Sequence, residues 1–247
     1  MYSAARLLQS LQEKGLIRTI KVVYNVAADF WFDWINGTNT MRWVDVKSFQ
    51  TASANKVHAV HYQATRMWPL VRLLRKLQLP KGGTFVDLGC GKGRVLMIAS
   101  QFGFQRIVGV EFCAQLCRQA RENVDLFRRR YPSYSPIEII ESDVTQYEFR
   151  GDETIFFLYN PFTSVVLAQL LENIARSVIS APRDIWLIYN TPLHRAAIEG
   201  DGRFAHRQKF EIGGTDFFVY SQFDPSRQSK GLPPSAEEKH LAEKDLL

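Results

Sequence analysis

The spacing of apolar side chains divides the chain into a helical front and a regularly alternating middle. Residues 3–12 place Leu7, Leu8 and Leu11 on one side of a short amphipathic pattern, which Gly15 interrupts. Residues 16–35 follow, with Val22, Val23, Val26 and Phe30 at helical spacing and with Tyr24, Trp31, Phe32 and Trp34 among them. Such a helix can lie on a membrane surface or pack against the rest of the protein. Packing is the favoured reading, because the polar face is not strongly basic. Asn36-Gly37-Thr38-Asn39 is turn chemistry and ends the element. Residues 40–65 show no clear period. Trp68-Pro69 then opens a helix with Pro69 in its first turn. Leu70, Leu73, Leu74 and Leu77 form its apolar stripe, and Pro80-Lys81-Gly82-Gly83 stops it.

Beyond Gly83 the periods alternate. Residues 84–88, 106–111, 137–141, 154–159 and 184–190 read as strands, and 94–102, 114–130 and 164–180 as helices. Strands alternating with helices predict a parallel sheet with crossover helices. Residues 204–212 and 216–223 read as an antiparallel hairpin joined at Gly213-Gly214. The expected fold is α/β: a Rossmann-like seven-stranded sheet, mostly parallel, closed by a C-terminal antiparallel hairpin and preceded by a helical N-terminal segment. The expected organisation is a helical segment over 1–79, a ligand-binding domain over 80–224 and a disordered tail over 225–247. The tail loses its aromatics and gains Pro, Ser, Lys and Glu.

Composition and charge refine this picture. At 247 residues, 46% hydrophobic and 23% charged, the chain can bury a sizeable core without staples. The net charge of +6 is unevenly placed. Residues 1–80 carry 11 basic and 4 acidic side chains, residues 81–224 carry 16 and 17, and the remainder 4 and 4. A basic front can recruit RNA, an anionic protein surface or anionic lipid. A solvated basic surface is the plainer reading, and no motif points to nucleic acid. Three cysteines give no disulfide framework and no metal spacing, so a reducing, cytoplasmic setting is expected. No signal peptide and no apolar run of ~18 residues is seen. His58 and His61 lack companion ligands, so no metal is expected. Cys113 and Cys117 read as buried hydrophobes, and Arg128, Arg129 and Arg130 as a solvated helix end.

The chemistry concentrates in Phe85-Val86-Asp87-Leu88-Gly89-Cys90-Gly91-Lys92-Gly93-Arg94. An apolar strand meets an acid, and a Gly-x-Gly-x-Gly loop opens a helix. Glycines let the chain turn sharply and let a ligand approach its backbone. A dinucleotide fingerprint wants Gly where Arg94 stands, and a phosphate loop wants Ser or Thr where Gly93 stands. Asp87 also disfavours a pyrophosphate. It suits a ligand with a positive end, such as the ammonium and sulfonium of S-adenosylmethionine. Glu111 closes the second strand 22 residues after Gly89, near the ~20-residue offset at which an acid reaches ribose hydroxyls; Phe112 beside it can lie against adenine. Asp143 can accept from the adenine amine and the Val144 amide can serve a ring nitrogen, although Asp is also common in plain turns. Asn160-Pro161-Phe162 ends the fourth strand. There Asn160 can hold an amino group, Pro161 can fix a carbonyl and Phe162 can wall the acceptor. The plain alternative is strand-terminating turn chemistry.

Over residues 84–223 this order resembles the class I, seven-strand S-adenosylmethionine-dependent methyltransferases. The resemblance implies that Asp87, Gly89, Gly91 and Gly93, with Cys90 in the same loop, hold the methionine end, Glu111 the ribose and Asp143 the adenine. Residues 56–112 are also similar to seven-strand protein-lysine methyltransferases, through Tyr62, Thr65, Leu73-Leu74 and residues 86–94 and 109–111. That likeness implies that Tyr62 joins the cofactor site and that the acceptor is a nitrogen, such as a protein lysine. Asn160-Pro161-Phe162 departs from the Asn-Pro-Pro-Tyr of many amino-group methyltransferases, which leaves the acceptor atom open. The alternatives are methylation of RNA or a small molecule by the same fold, or a non-catalytic cofactor-binding module acting through the basic front.

Overall fold

The computed structural model describes residues 16–42, 63–159 and 163–226. Among the described residues two helices come first, α1 (Leu16–Asn36) and α2 (Met67–Lys76). There follow β1 (Thr84–Leu88), α3 (Arg94–Ala99), β2 (Arg106–Glu111), α4 (Ala114–Arg130), β3 (Ile137–Glu141) and β4 (Glu153–Leu158). The chain continues through α5 (Ser164–Ser180), β5 (Trp186–Asn190), α6 (Arg195–Asp201), β6 (Phe204–Ile212) and β7 (Thr215–Phe223). The seven strands form one sheet in the order β3-β2-β1-β4-β5-β7-β6. β1 to β5 run parallel, and β7 is antiparallel to both of its neighbours.

β1 is buried at every position, as a strand covered on both faces must be. Its side chains alternate between two cores. Phe85 joins Leu70, Leu73, Leu74, Phe127 and Phe157, so α2, α3 and α4 cover that face. Val86 and Leu88 join Leu167, Leu170, Leu171 and Ile174 under α5 on the other. The strands and helices stand where the periodicity puts them, with small shifts. The expected helix over 94–102 ends at Ala99 and finishes as a tighter 3-10 turn, Ser100–Phe102. Helix α6 was not anticipated: it has seven residues, and Gly200 interrupts its pattern. The expected pattern over 3–12 and nearly all of the tail lie outside the described residues.

Helix α1 packs against the domain, but with its faces reversed. Asn25, Asp29, Phe32 and Asn36 are buried, whereas Ile20, Val23, Tyr24, Phe30, Trp31 and Trp34 are exposed. Of the expected apolar face, Val22 and Val26 are only half-buried. The Asn25 amide donates to the Gly213 carbonyl at 2.9 Å, tying the helix to the β6–β7 turn. Asp29 accepts from the first amide of α2, Met67 N, at 2.8 Å, and pairs with Arg66 at 2.9 Å. It thereby caps α2, whose N-terminal N–H groups would otherwise lack partners. Among the described residues, no helix is long and apolar enough to cross a membrane.

Candidate functional site

The carboxyl ends of β1, β2, β3 and β4 lie side by side, with Leu88 opposite both Val110 and Leu158 and Glu111 opposite Glu141. From β1 the strand order runs outward in two directions, through β2 to β3 and through β4 to β5. This is a topological switch point, where open α/β sheets bind ligands. The glycine loop springs from that point. Gly89, Gly91 and Gly93 have φ of 86°, 53° and 80°, values that a side chain would strain. The Gly89 and Cys90 amides donate to the Val110 carbonyl at 2.8 and 3.1 Å, pinning the loop across the end of β2. Gly109 makes this possible: a Cβ there would stand 2.7 Å from Cys90 Sγ and 2.5 Å from Leu96 Cδ1.

Glu111 turns into this loop. Its Oε2 accepts from the Gly91 amide and its Oε1 from the Cys113 amide, each at 3.0 Å. It is buried, and burial raises its pKa even though the Cys113, Gly91 and Phe112 amides pull it down. Asp87 is also buried and is pushed well above the usual carboxylate range by burial and by the charge of Glu111. Cys90 is pushed up by burial first. Two acids held out of water at the carboxyl ends of β1 and β2 form a wall that favours a positive group.

Farther along the edge, the Ser142 amide donates to the Glu111 carbonyl at 3.0 Å, joining the ends of β2 and β3. Asp143 sits in a turn, with its Oδ1 accepting from Thr145 N at 2.9 Å and Thr145 Oγ1 at 2.8 Å. Asp143 and Phe112 are half-buried and Val144 is buried. The expected cofactor residues Asp87, Gly89, Cys90, Gly91, Gly93, Glu111, Phe112, Asp143 and Val144 are thus arrayed on three adjoining strand ends. Tyr62 and the expected acceptor segment Asn160, Pro161 and Phe162 lie outside the described residues, as do His58 and His61. Cys113 and Cys117 are buried free thiols. No metal-ligating cluster exists among the described residues.

Residues outside the expected cofactor set lock the front of the chain onto this loop. Arg94 is buried and pairs with Asp29 at 2.9 Å and Asp33 at 3.4 Å, while its Nε donates to Thr40 Oγ1 at 2.6 Å. Asp33 also accepts from the amides of Thr40 and Met41 at 2.9 and 2.8 Å, shaping the segment after α1. Lys92 Nζ donates to the Arg42 carbonyl at 2.8 Å, and burial lowers its pKa to about 8. Asn123 of α4 bridges the two parts. It accepts from the Asn39 amide at 2.9 Å and donates to the Lys92 carbonyl at 3.0 Å. The signal in the sequence was the four-residue spacing of Asp29 and Asp33, which puts two acids on one face of α1.

The family model described as histone methylation protein DOT1 matches residues 45–175, more than half of the chain. The chain belongs to the DOT1 family. The match includes the glycine loop, Glu111, Asp143 and residues 160–162, so the DOT1 likeness covers every strand end described above. Among curated proteins, none matches the sequence significantly. Solved structures to which the chain is similar include an RNA methyltransferase from Salinibacter ruber in complex with S-adenosyl-L-homocysteine. That pair shares 20% identity over 67% of this chain and 97% of the other, with a TM-score of 0.48. A magnesium protoporphyrin IX methyltransferase from Synechocystis with bound SAM shares 15% over 63% and 77%, at 0.46. A SAM-dependent methyltransferase from Aquifex aeolicus shares 17% over 63% and 89%, at 0.49. This DOT1-family chain is an S-adenosylmethionine-dependent methyltransferase with a Rossmann-like fold. Asp87 and Glu111 are acids, so a ligand with a positive end, as that cofactor has, suits this wall better than a pyrophosphate does.

Proposed function

We infer that this DOT1-family chain methylates a nitrogen of a protein, with a lysine side chain as the acceptor. The observation that carries the reading is the buried pair Asp87 and Glu111 on either side of the Gly89–Gly93 turn, within a match to a family described by histone methylation. S-adenosylmethionine supplies an electrophilic methyl group on a sulfonium. Asp87 and the loop of Gly89, Cys90, Gly91 and Gly93 would hold its methionine end, Glu111 its ribose, and Phe112, Asp143 and Val144 its adenine. Asn160 would orient the acceptor amine between Pro161 and Phe162. A lysine must lose its proton before attack, so the site's task is to exclude water and disfavour the ammonium form. Positioning and desolvation are the protein's main contributions to such a transfer. Residues 1–79, with Tyr62, would cover the cofactor and shape access for the substrate.

The test supplies the purified chain with methyl-labelled cofactor and a cell extract, then digests the product with protease or nuclease. Label that protease releases and nuclease leaves, recovered as methyl-lysine on hydrolysis, supports the reading. Nuclease-sensitive label, or label confined to small molecules, overturns the acceptor assignment. Calorimetric binding of NADH, with no binding of S-adenosylmethionine or S-adenosylhomocysteine, overturns the cofactor site itself.

A further inference from the structure

Helix α1 presents to water the residues that a helix packed on a sheet normally buries. Ile20, Val23, Tyr24, Phe30, Trp31 and Trp34 are all exposed, Trp34 by 73%. With Ala27, also exposed, they recur at intervals of three and four and form one stripe. At ~1.5 Å per residue the stripe is about 21 Å long. The Trp31 and Trp34 rings lie 5.0 Å apart on its crest. A contiguous exposed patch of this kind marks an interaction surface.

The partner's charge follows from what frames the stripe. At one end Tyr24 meets Trp68 edge-on at 5.8 Å, and the Arg72 guanidinium lies 5.0 Å above the Trp68 ring. Arg75, one turn farther along α2, is exposed, as is Lys21 on α1. At the other end Arg130 donates to the Ile35 carbonyl at 2.8 Å, and Arg128 and Arg129 are exposed in the same turn. Cations therefore flank an aromatic and aliphatic ridge at both ends. The two acids of α1 face away from it, Asp29 and Asp33 being held by Arg94. A second copy is a poor occupant. Antiparallel pairing of α1 with α1 sets Arg72 against Arg130 and parallel pairing sets each against itself, so like charges meet either way. Ile20 and Val23 offer no ring face for a nucleic-acid base to stack on.

We propose that α1 is a monotopic anchor that lies in the interface of an anionic lipid bilayer. Trp31, Trp34, Phe30, Val23 and Ile20 enter the boundary between headgroups and acyl chains, and Arg72, Arg75 and Arg130 meet the lipid phosphates. The helix lies on the bilayer and does not span it, since its inner face is committed to Arg94 and the β6–β7 turn. The proposal is independent of the methyl acceptor.

The experiment is flotation of the intact chain with vesicles of phosphatidylcholine alone or mixed with phosphatidylglycerol, alongside tryptophan emission. The expected result is binding to the mixed vesicles with a blue shift, at least about tenfold weaker binding to neutral vesicles, and weakening by salt. Trp31→Ser with Trp34→Ser should lower binding by about tenfold or more while the melting temperature holds. Should that pair disturb folding, Arg72→Ala with Arg75→Ala carries the same test through loss of the preference for phosphatidylglycerol. Failure to float with either vesicle, or equal flotation of the variants, overturns the proposal. So does a concentration-dependent dimer dissolved by the tryptophan variant, which would assign the stripe to a second copy. Retention of single-stranded RNA by the wild type alone, without vesicle binding, would assign it to RNA.

Discussion

Asp87 and Glu111 are ionisable groups held where ionisation is disfavoured, and this sets two opposed expectations. A carboxyl whose folded pKa is raised binds more protons folded than unfolded, so its contribution to stability is present at low pH and is lost as pH rises through the raised value. Above the raised value, the buried Asp87 charge therefore works against folding. Asp87→Asn is expected to raise the melting temperature of the cofactor-free protein by a few degrees, on the order of 1 kcal/mol, while weakening S-adenosylmethionine binding by tenfold or more, about 1.4 kcal/mol. Thermal melts with and without cofactor check both; a lower melting temperature would show that the carboxylate has a structural partner. The acids and glycines of this wall were legible because the chemistry demands particular residue types at fixed offsets. The second duty of Glu111, accepting from Gly91 and Cys113, was not, because it depends on how two strand ends meet. Asn160 belongs to the same scale. If it orients the acceptor, Asn160→Ala should leave cofactor affinity nearly intact and slow single-turnover transfer by about 10²-fold, whereas Tyr62→Ala should weaken both. Turnover of Asn160→Ala at the wild-type rate would reduce residues 160–162 to a strand terminator.

At the scale of elements, α1 is the instructive case. Its period was plain in the sequence, but the face it buries was not. An apolar stripe predicts its own burial only when nothing stronger competes, and here the competitor is Arg94. A buried guanidinium must be paired, so the acids of α1 are drawn inward and the aromatics are turned out. Breaking a fully buried pair from one side costs about 3–5 kcal/mol, whereas a surface pair is worth about 1 kcal/mol or less, and a pair with one partly exposed member lies between. Arg94→Met should therefore cost about 3 kcal/mol or more in urea denaturation, and Arg66→Ala, whose side chain retains 21% exposure, far less. Hydrogen exchange should show the α1 amides losing protection in the first variant. Equal costs for the two would mean that Asp29 serves mainly as the cap of α2. Short α6 escaped notice for the opposite reason. Seven residues with an internal glycine leave too little pattern to read, and its burial rests on Ala197 and Ile198 joining the core on the α5 side of the sheet.

For the molecule as a whole, alternation along the chain announced a parallel sheet, and the Gly213-Gly214 turn announced its antiparallel close. The spatial order of strands was not written there: that β4 returns to lie beside β1 is decided by packing, and it is this return that creates the switch point under the glycine loop. Packing also decides how independent the front of the chain is. The charge step near residue 80 suggests a boundary, yet Phe32, Leu70, Leu73, Leu74 and Leu77 sit in the same core as Phe85, Phe127 and Phe157. Removing residues 1–79 would uncover that face of the sheet and strip Arg94 of Asp29 and Asp33. Each large core side chain lost forgoes about 2–5 kcal/mol, so five together, about 10–25 kcal/mol, match or exceed the 5–15 kcal/mol that holds a domain folded. The intact chain is therefore expected to unfold in one cooperative transition, and a fragment covering residues 80–224 to show none, with a molten, dye-binding surface in its place. Calorimetry of both checks this. A cooperative transition in the fragment, with cofactor affinity retained, would make the helical front a separable cover; its absence would make α1 and α2 part of the domain that carries the site.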